Sequence, residues 1–171
     1  AGVKVETVTG ADTRASSVAA GLRYILALIE SAELAANTRV LVHDAARPLV
    51  RRRTIERLVT EVDKVHACGG LLATPATDTL KVANADVTVA QTLDRSLIWQ
   101  AQTPQLFDVR VLHDAIQSAM DNGMPVTDEA SAMEFAGYTP LLVEGDKDNI
   151  KLTHSLDLSL AEILLQAQET E

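Results

Sequence analysis

The sequence has little of several residue types, and each scarcity excludes a class of protein. Its single cysteine, Cys68, cannot form a disulfide within the chain, which favours a reducing compartment. Aromatic residues make up only 3% of the chain, too few for the stacking platforms that bind single-stranded nucleic acid. No apolar run approaches the roughly 20 residues that a membrane-spanning helix needs. We therefore expect a cytoplasmic protein that spans no membrane.

Positive charge is also scarce. Lysine and arginine total 15 against 24 aspartates and glutamates, so the formal net charge is −9. A protein that neutralises nucleic-acid phosphates needs a basic face, and this balance weighs against such a partner. An acidic protein that binds a small phosphorylated ligand must gather its few cations in one place. The positions of those cations therefore indicate where a ligand site would lie.

A glycine-rich phosphate loop is missing as well. Parallel α/β sheets usually hold phosphates with such a turn after the first strand. Neither G-x-G-x-x-G nor G-x-x-x-x-G-K-S/T occurs in the sequence. The chain instead enters a predicted strand directly from Ala1, without an initial methionine. We expect that an N-terminal phosphate-binding segment is missing from it.

The residues that are present alternate between strand patterns and helix patterns. Strands are predicted at 3–6, 40–42, 71–73, 141–143 and 150–152, and helices at 18–29, 55–65, 112–120, 127–135 and from 155 onward. This alternation predicts a single α/β domain over 1–171, with a Rossmann-like, mainly parallel sheet covered by helices on both faces. The apolar run Val40-Leu41-Val42 is predicted to be a central parallel strand.

One region departs from the alternation. Leu80-Lys81-Val82 and Val87-Thr88-Val89 are two alternating segments on either side of Ala83 to Asp86, which predicts a β-hairpin. We expect a projecting arm over residues 79–93. An isolated two-stranded ribbon is only marginally stable in water, so the arm is expected to pack against something.

Five segments, in order and at the same spacing, resemble the 2-C-methyl-D-erythritol 4-phosphate cytidylyltransferases. The segments are Thr9 to Val18, His43 to Pro48, Asp94 to Phe107, Thr127 to Ser131 and Asp148 to Lys151. Each alone is a weak signal, but the combination is specific and runs across the whole chain. The resemblance implies a Rossmann-like fold and transfer of a cytidylyl group from CTP to the sugar-alcohol phosphate, with Mg²⁺ as cofactor. It also implies a homodimer in which the hairpin arms reach across and complete each other's pockets.

The sequence departs from the family pattern in two places. A glycine-rich loop with an arginine and a Pro-Lys-Gln segment, which hold the triphosphate in the family, would precede the point where this chain begins. We therefore expect residues 1–171 alone to be inactive. The family usually has a second glycine where this sequence has Ala11. A β-carbon at that position could alter the turn.

The resemblance implies a set of residues around the sugar-alcohol phosphate. Arg95 and Lys151 would clamp its phosphate and orient it for attack, since a planar guanidinium and a compact ammonium suit one phosphoryl group. Asp44 and Arg47 would lie beside the sugar phosphate, with Asp44 near ribose or magnesium. The alternatives are solvated surface cations and, for Asp44, a turn that simply ends the strand.

Hydroxyl groups and a glycine turn complete the implied site. Thr79, Thr103 and Thr127 would donate hydrogen bonds around the substrate, although Thr127 is also a suitable N-cap. Gly10, Asp12 and Ser17 correspond to positions that read cytosine and ribose. The alternative for this turn is a structural one, in which Asp12 or Ser16 caps the following helix.

Three further features are ambiguous in the sequence. Arg14 could meet a phosphate or could be a solvated cation. His43 has no partner at metal-ligand spacing, so we expect it to be structural. The run Arg51-Arg52-Arg53 is unusual at a helix start, where cations are mildly unfavourable, and we expect it to be a solvated face.

Two rival functions stay open at this point. A ribitol 5-phosphate cytidylyltransferase shares the fold and the chemistry, although Asp94-Arg95, Trp99 and the Asp-Asn-Ile-Lys segment favour the methylerythritol enzyme. A chain that only dimerises or binds a metabolite is the other rival, and the missing phosphate loop is its main support.

Overall fold

A computed structural model of the chain describes residues 3–169, so the predicted domain limits at 1 and 171 lie outside the described residues. The strands are β1 Arg39–Val42, β2 Gly69–Pro75, β3 Lys81–Ala83, β4 Val89–Thr92, β5 Trp99–Asp108 and β6 Leu141–Glu144. The helices are α1 Arg14–Glu30, α2 Arg52–Lys64, α3 Val109–Asp121, α4 Glu129–Phe135 and α5 Ser155–Glu169, with a 3₁₀ turn at Arg95–Leu97.

The central sheet has the order β1-β5-β2-β6. Strand β6 pairs with β2 in parallel, while β5 runs antiparallel to both of its neighbours, so β1, β2 and β6 share one direction. The α/β fold class is confirmed. The prediction that Val40-Leu41-Val42 is a central parallel strand is wrong for residues 3–169. Strand β1 pairs there only with the antiparallel β5, and Leu41 is exposed.

Helices cover both faces of this sheet, as predicted. One apolar cluster joins α1, α3 and α4 to the sheet through residues such as Leu22, Ile116, Met133 and Phe107. A smaller cluster on the other side contains Leu58 of α2 with apolar side chains of β2, β5 and β6. Because helices pack on both faces of the sheet, the ends of the strands and the starts of the helices hold fixed positions relative to one another.

The C-terminal ends of α1 to α4 lie within one residue of the prediction, whereas their starts differ from it by two to four residues. Thr13, and neither Asp12 nor Ser16, caps α1, because its side chain accepts from the backbone N–H of Ser16. Asp128, and not Thr127, caps α4. Gly123 and Gly137 follow α3 and α4 with φ values of +65° and +86°, the left-handed conformation in which many helices end.

Two predicted strands are absent from the described chain, and one strand was missed. Residues 3–6 have no strand partner within 3–169, and Val3 and Val5 are 91% and 81% exposed. The alternation of apolar and polar residues there is therefore not sufficient to form a strand. Residues 150–152 are irregular, with the N–H of Leu152 donating to the carbonyl of Ala46. The missed strand is β5, which spans 10 residues and contains the cis bond between Thr103 and Pro104.

The predicted hairpin is present. Strands β3 and β4 pair with each other in a sheet of their own, and every residue of both strands is exposed. A further bond, from the N–H of Leu93 to the carbonyl of Leu80, extends the ribbon toward its base. Its role as a dimerisation arm stays a prediction. No helix among residues 3–169 is long and apolar enough to cross a membrane.

Candidate active site

The candidate site lies where the carboxyl ends of β1, β2 and β6 meet the antiparallel β5. The turn after β1 supplies Asp44 and Arg47, and β5 supplies Thr103. Arg14 is the first residue of α1, and the segment that follows β6 carries Lys151. Ligand sites of α/β sheets are usually built at this end of the strands.

Asp44 is the centre of a group of three cations. One carboxylate oxygen lies 3.0 Å from Nζ of Lys151 and 4.0 Å from Nε of Arg47. The other oxygen lies 3.4 Å from Nη2 of Arg14. In a chain with a net charge of −9, this arrangement concentrates positive charge at one point.

The surroundings of Asp44 fix its protonation state. Burial raises the pKa of Asp44, but the hydrogen bond and charge of Lys151, together with Arg14, outweigh burial and hold this pKa below its ordinary value. Burial lowers the pKa of Arg47, and the Asp44 carboxylate opposes that change. Arginine stays protonated throughout the physiological range, so the site keeps Asp44 charged at neutral pH.

Arg47 is aimed by backbone carbonyls. Its Nη1 donates to the carbonyl of Asn149 at 2.7 Å, and its Nη2 donates to that of Ala101 at 3.4 Å. Asn149 is itself buried and donates from its side chain to the carbonyl of Thr103 at 2.9 Å. The guanidinium of Arg47 therefore has a fixed position between β5 and the segment after β6.

Arg14 is held by a buried carboxylate. Glu129, the first residue of α4, is 1% exposed and accepts from Nη1 and Nη2 of Arg14 at 2.7 and 3.0 Å. The hydrogen bond from Glu129 raises the pKa of Arg14, although burial opposes this rise. The two parallel bonds have the geometry of a strong arginine–carboxylate pair. Arg14 is therefore held in an ion pair while 36% of its side chain stays exposed, and its contact with a phosphate stays a prediction.

Thr103 connects β5 to the turn after β1. Its hydroxyl accepts from the backbone N–H of Asp44 at 3.0 Å and lies 3.0 Å from Nδ1 of His43. The Nε2 atom of His43 lies 2.9 Å from the carbonyl of Arg47, which can only accept, so Nε2 is the donor there. His43 thus has the structural role expected from the sequence.

Three adjoining cavities meet at Lys151. The first, about 280 Å³, is lined by five of the predicted substrate residues, namely Asp44, Arg47, Thr103, Thr127 and Lys151, and also by Arg14. The second, about 470 Å³, shares Arg47 and Lys151 with it and extends along Thr77 and Asn149. The third, about 440 Å³, adds Ser17 to Arg14, Asp44 and Lys151. A ligand with two anionic parts could therefore contact the same cations from two sides.

Of the predicted nucleotide-binding residues, the structure brings Ser17 to this cluster. Its Oγ accepts from the N–H of Ala11 at 2.9 Å and lies within hydrogen-bonding distance of the carbonyls of Ala11 and Thr13. A β-carbon on Gly10 would lie 3.0 Å from the same Oγ, so a glycine allows this close approach. Asp12 is exposed and lines none of the three cavities.

Arg95 and Thr79 lie apart from the cluster, at the base of the hairpin. Arg95 is exposed and donates from Nη1 to the carbonyl of Thr77, a residue of the second cavity. Thr79 is exposed as well, and neither residue lines any of the three cavities. The predicted pair of Arg95 and Lys151 therefore does not form one clamp within the described chain.

Sequence reasoning missed several site residues and misjudged one. Glu129, Gln102, Gln105 and Asn149 are buried polar residues. For the two glutamines, the available signal was the run Gln102-Thr103-Pro104-Gln105 directly before the apolar pair Leu106-Phe107. The predicted solvated face is wrong for Arg51, whose side chain lies 2.6 Å from Asp148 and 3.6 Å from Asp146. Arg52 is solvated as expected, with 92% of its side chain exposed.

The described residues do not form a metal centre of their own. Within 3–169 there is no group of three or more histidine, cysteine, aspartate or glutamate side chains that could hold an ion. Both oxygens of Asp44, the candidate ligand, already face cations. Asp44 is therefore poorly suited to bind Mg²⁺ directly.

Relatives of known function were found for nearly the whole chain. Residues 1–167 match the family described as "IspD: 2-C-methyl-D-erythritol 4-phosphate cytidylyltransferase". A protein of Aliivibrio fischeri (strain MJ11) with that enzyme name is 45% identical over 98% of this chain and 68% of its own length. Its namesake in Pseudomonas aeruginosa (strain UCBPP-PA14) is 49% identical over 90% of this chain and 64% of its own length.

Solved structures agree with these sequence matches. The Francisella tularensis 2-C-methyl-D-erythritol 4-phosphate cytidylyltransferase superposes with a TM-score of 0.80 at 39% identity, over 91% of this chain and 70% of that one. The Thermus thermophilus enzyme of the same name gives 0.77 at 31% identity, over 93% and 72%. This chain spans about two thirds of the length of these relatives. Their names favour the methylerythritol enzyme over the ribitol 5-phosphate rival, and the chain belongs to the 2-C-methyl-D-erythritol 4-phosphate cytidylyltransferase family.

Proposed function

We propose that the cations around Asp44 bind the phosphate of 2-C-methyl-D-erythritol 4-phosphate and present one of its oxygens to the α-phosphorus of CTP. The reaction of the family is transfer of the cytidylyl group from CTP to that phosphate, with release of pyrophosphate, in non-mevalonate isoprenoid biosynthesis. The observation that carries the proposal is the convergence of Arg14, Arg47 and Lys151 on one carboxylate.

The cluster has the properties that a phosphate site needs. Lys151 is 47% exposed and lines all three cavities, so its ammonium group can turn from Asp44 to a ligand. The Nε atom of Arg47 is buried and has no hydrogen-bond partner within residues 3–169, which leaves a donor for a phosphate oxygen. Thr127 adds a hydroxyl group to the same cavity, and Thr103, whose hydroxyl is bonded to Asp44 and His43, forms part of the cavity wall.

The proposed roles divide between two sides of Lys151. The cavity with Thr103 and Thr127 takes the sugar-alcohol phosphate, and the cavity with Ser17 takes part of CTP. We place Gly10 and Asp12 on the CTP side because they lie in the segment that leads into α1, the helix that carries Ser17. Arg14 lies on the boundary and faces both cavities.

The chemical step requires that the negative charges of the two reactants be balanced and that the attacking oxygen be aligned with the α-phosphorus. An oxygen of the sugar-alcohol phosphate bonds to the α-phosphorus of CTP as the bond from that phosphorus to the bridging oxygen breaks, and pyrophosphate leaves. Both reactants are polyanions, so positioning and cationic stabilisation supply the catalysis, and no covalent nucleophile is needed. In this scheme Arg47 and Lys151 hold the attacking phosphate at a fixed distance from CTP.

Magnesium is proposed to enter the site already bound to the triphosphate of CTP. Mg²⁺ usually keeps several waters and takes few protein ligands, and when bound to CTP it would reduce the negative charge of the phosphates. Asp44 is engaged by cations and does not fit as its main ligand. The proposal therefore gives Asp44 the role of organising the site cations.

Arg95 and Thr79 are proposed to act from a second copy of the chain. The hairpin strands between them are exposed on every residue, and Val82 and Val89 present apolar side chains to solvent. In a two-fold homodimer this arm would carry Arg95 and Thr79 toward the partner's cavity. The dimer is proposed to work in the cytoplasm.

The test of the function is pyrophosphate release from CTP. We expect 2-C-methyl-D-erythritol 4-phosphate to be used in preference to ribitol 5-phosphate by an enzyme that contains these residues. Residues 1–171 alone are proposed to be inactive, because the described part of them contains no glycine-rich phosphate loop and one electrostatic contact can be worth ~10²–10³ in rate. Fusing the glycine-rich segment of a relative to Ala1 should raise the rate. An unchanged rate after that fusion would favour the non-catalytic rival.

A further inference from the structure

A second group of charged residues lies behind the site, between the start of α2 and the turn after β6. The carboxylate of Asp146 accepts from the hydroxyl of Thr54 and from Nη2 of Arg57, the latter at 3.2 Å. Arg51 Nη1 lies 3.6 Å from the same carboxylate and 2.6 Å from that of Asp148. Asp146 and Asp148, in the turn after β6, thus contact Arg51, Thr54 and Arg57 near the start of α2.

This group is shielded from solvent. The side chains of Arg51, Asp146 and Asp148 are 16%, 20% and 21% exposed, and Thr54 is fully buried. By contrast, the neighbouring pair of Arg52 and Glu56 is 92% and 60% exposed. Partly buried ion pairs are screened less by water and salt than exposed ones, so the buried group is expected to restrain its turn more strongly.

The turn that carries Asp146 and Asp148 leads directly into the site. The carbonyl of Asp146 accepts from the side-chain amide of Gln102 at 3.0 Å and from the N–H of Asn149 at 3.1 Å. The carbonyl of Asn149 in turn accepts from Arg47 at 2.7 Å. Lys151 follows two residues later. The turn is therefore bound on one side to α2 and on the other to the residues that aim Arg47.

The close fit at the start of this turn supports the same conclusion. A β-carbon on Gly145 would lie 2.2 Å from Oε1 of Gln102, so the backbone passes very near the β5 side chain. Cations at a helix N-terminus are electrostatically unfavourable, and Arg51 is the N-cap residue of α2. The carboxylates of Asp146 and Asp148 offset that cost, which gives the arginine run a role that its sequence pattern did not reveal.

We propose that Arg51, with Asp146 and Asp148, is a positioning clamp that holds the 145–151 segment so that Arg47 and Lys151 face one phosphate. Arg51 touches no substrate in this proposal and acts through the segment alone. The functional half of the inference rests on the proposed phosphate site. The structural half, the restraint of the segment by Arg51, stands independently of it.

The test compares Arg51→Ala with Arg52→Ala in residues 1–171. Arg52 is the matched control, because it is the adjacent arginine on the same helix start and its side chain is almost fully exposed. Hydrogen–deuterium exchange of peptides covering 145–151 reports the restraint. Calorimetric titration with 2-C-methyl-D-erythritol 4-phosphate reports its effect on the site. Thermal unfolding of each variant shows whether it is folded.

We expect Arg51→Ala to speed exchange at 145–151 and to weaken binding of the sugar-alcohol phosphate about tenfold, since small misplacements of positioned groups have effects of that order or larger. Arg52→Ala should change neither. Arg51→Lys, which keeps the charge, should recover part of the affinity. Equal exchange at 145–151 in the two alanine variants would overturn the clamp, and so would faster exchange with unchanged affinity.

The two proposals can fail separately. If the wild-type chain shows no binding of the sugar-alcohol phosphate, the proposed phosphate site is wrong, while faster exchange in Arg51→Ala still supports the restraint. If Arg51→Ala does not fold, the exchange comparison is made with Asp148→Asn, which removes the nearer of the two charge partners of Arg51 and retains the shape of the side chain. Unchanged exchange at 145–151 in Asp148→Asn would then overturn the clamp.

Discussion

Asp44 controls the arrangement of the site at the scale of single residues. Three cations that converge on one point would repel each other, and the shared carboxylate reduces that repulsion. Glu129 contributes in a second way, because its buried bidentate pair fixes both terminal nitrogens of Arg14. The site is thus organised by two carboxylates, neither of which needs to contact the reacting atoms.

The depressed pKa of Asp44 predicts a pH-dependent contribution to stability. A carboxyl whose pKa is lower in the folded than in the unfolded state stabilises the fold above the unfolded value of about 3.9, and this stabilisation is lost as pH falls through the folded pKa. We expect wild type to be more stable than Asp44→Asn at pH 7, with the difference shrinking below pH 4. Urea unfolding at several pH values measures this, and a difference that grows toward low pH would contradict it.

At the scale of elements, the start of α4 combines a helix cap with one wall of the first cavity. Asp128 caps the helix, with Oδ1 accepting from the N–H of Ser131, and its other oxygen accepts from the side chain of Gln105 at 2.9 Å. Thr127 and Asp128 both line the first cavity, but only Asp128 caps the helix with its side chain.

The different contacts of Asp128 and Thr127 predict that one substitution mainly affects stability and the other mainly affects ligand binding. Asp128→Ala should lower the free energy of unfolding by ~0.5–2 kcal/mol, because a helix cap is lost. Thr127→Ala should leave stability nearly unchanged and weaken binding of 2-C-methyl-D-erythritol 4-phosphate. Chemical denaturation and calorimetry on both variants give the comparison. If Thr127→Ala loses as much stability as Asp128→Ala, the assignment of the cap is wrong.

The hairpin is the second element with a testable role. Its strands expose every residue, and such a ribbon is marginal alone in water. We expect the chain to be a dimer at micromolar concentration by light scattering, and Val89→Asp to shift it toward monomer. Leu156→Asp, which charges an exposed apolar position on α5, is the control and should leave the dimer intact. A monomeric wild type would remove the proposed partner contribution of Arg95.

At the scale of the whole molecule, apolar spacing was enough to predict the helices and the hairpin. It failed for β5, because Gln102, Thr103 and Gln105 are buried polar residues whose side chains form hydrogen bonds. The strand therefore lacks the alternation of apolar and polar residues that predicts a strand. The caps were misplaced because Asp12 and Thr127 each stand beside another good capping residue. Local sequence could not decide between such neighbours.

The site was predictable to the extent that family motifs carry it. Asp44, Arg47, Thr103 and Lys151 meet at one cavity, although they come from three separate stretches of the sequence. Arg14 and Glu129, separated by 115 residues, could not be paired from composition or spacing. Contacts of this kind depend on how α1 and α4 pack on the same sheet face, which only the structure reveals.

Binding of 2-C-methyl-D-erythritol 4-phosphate, measured by calorimetry on wild type, Lys151→Ala and Lys64→Ala, is the most direct test of the proposed phosphate site. Lys64 lies at the end of α2, pairs with Glu61 and lines none of the three cavities, so it is the matched control. Loss of a charge-assisted phosphate contact costs about 1.5–3 kcal/mol, so Lys151→Ala should bind about 10- to 100-fold more weakly. Lys64→Ala should bind like wild type. Equal affinity in all three proteins would contradict a phosphate site at Lys151.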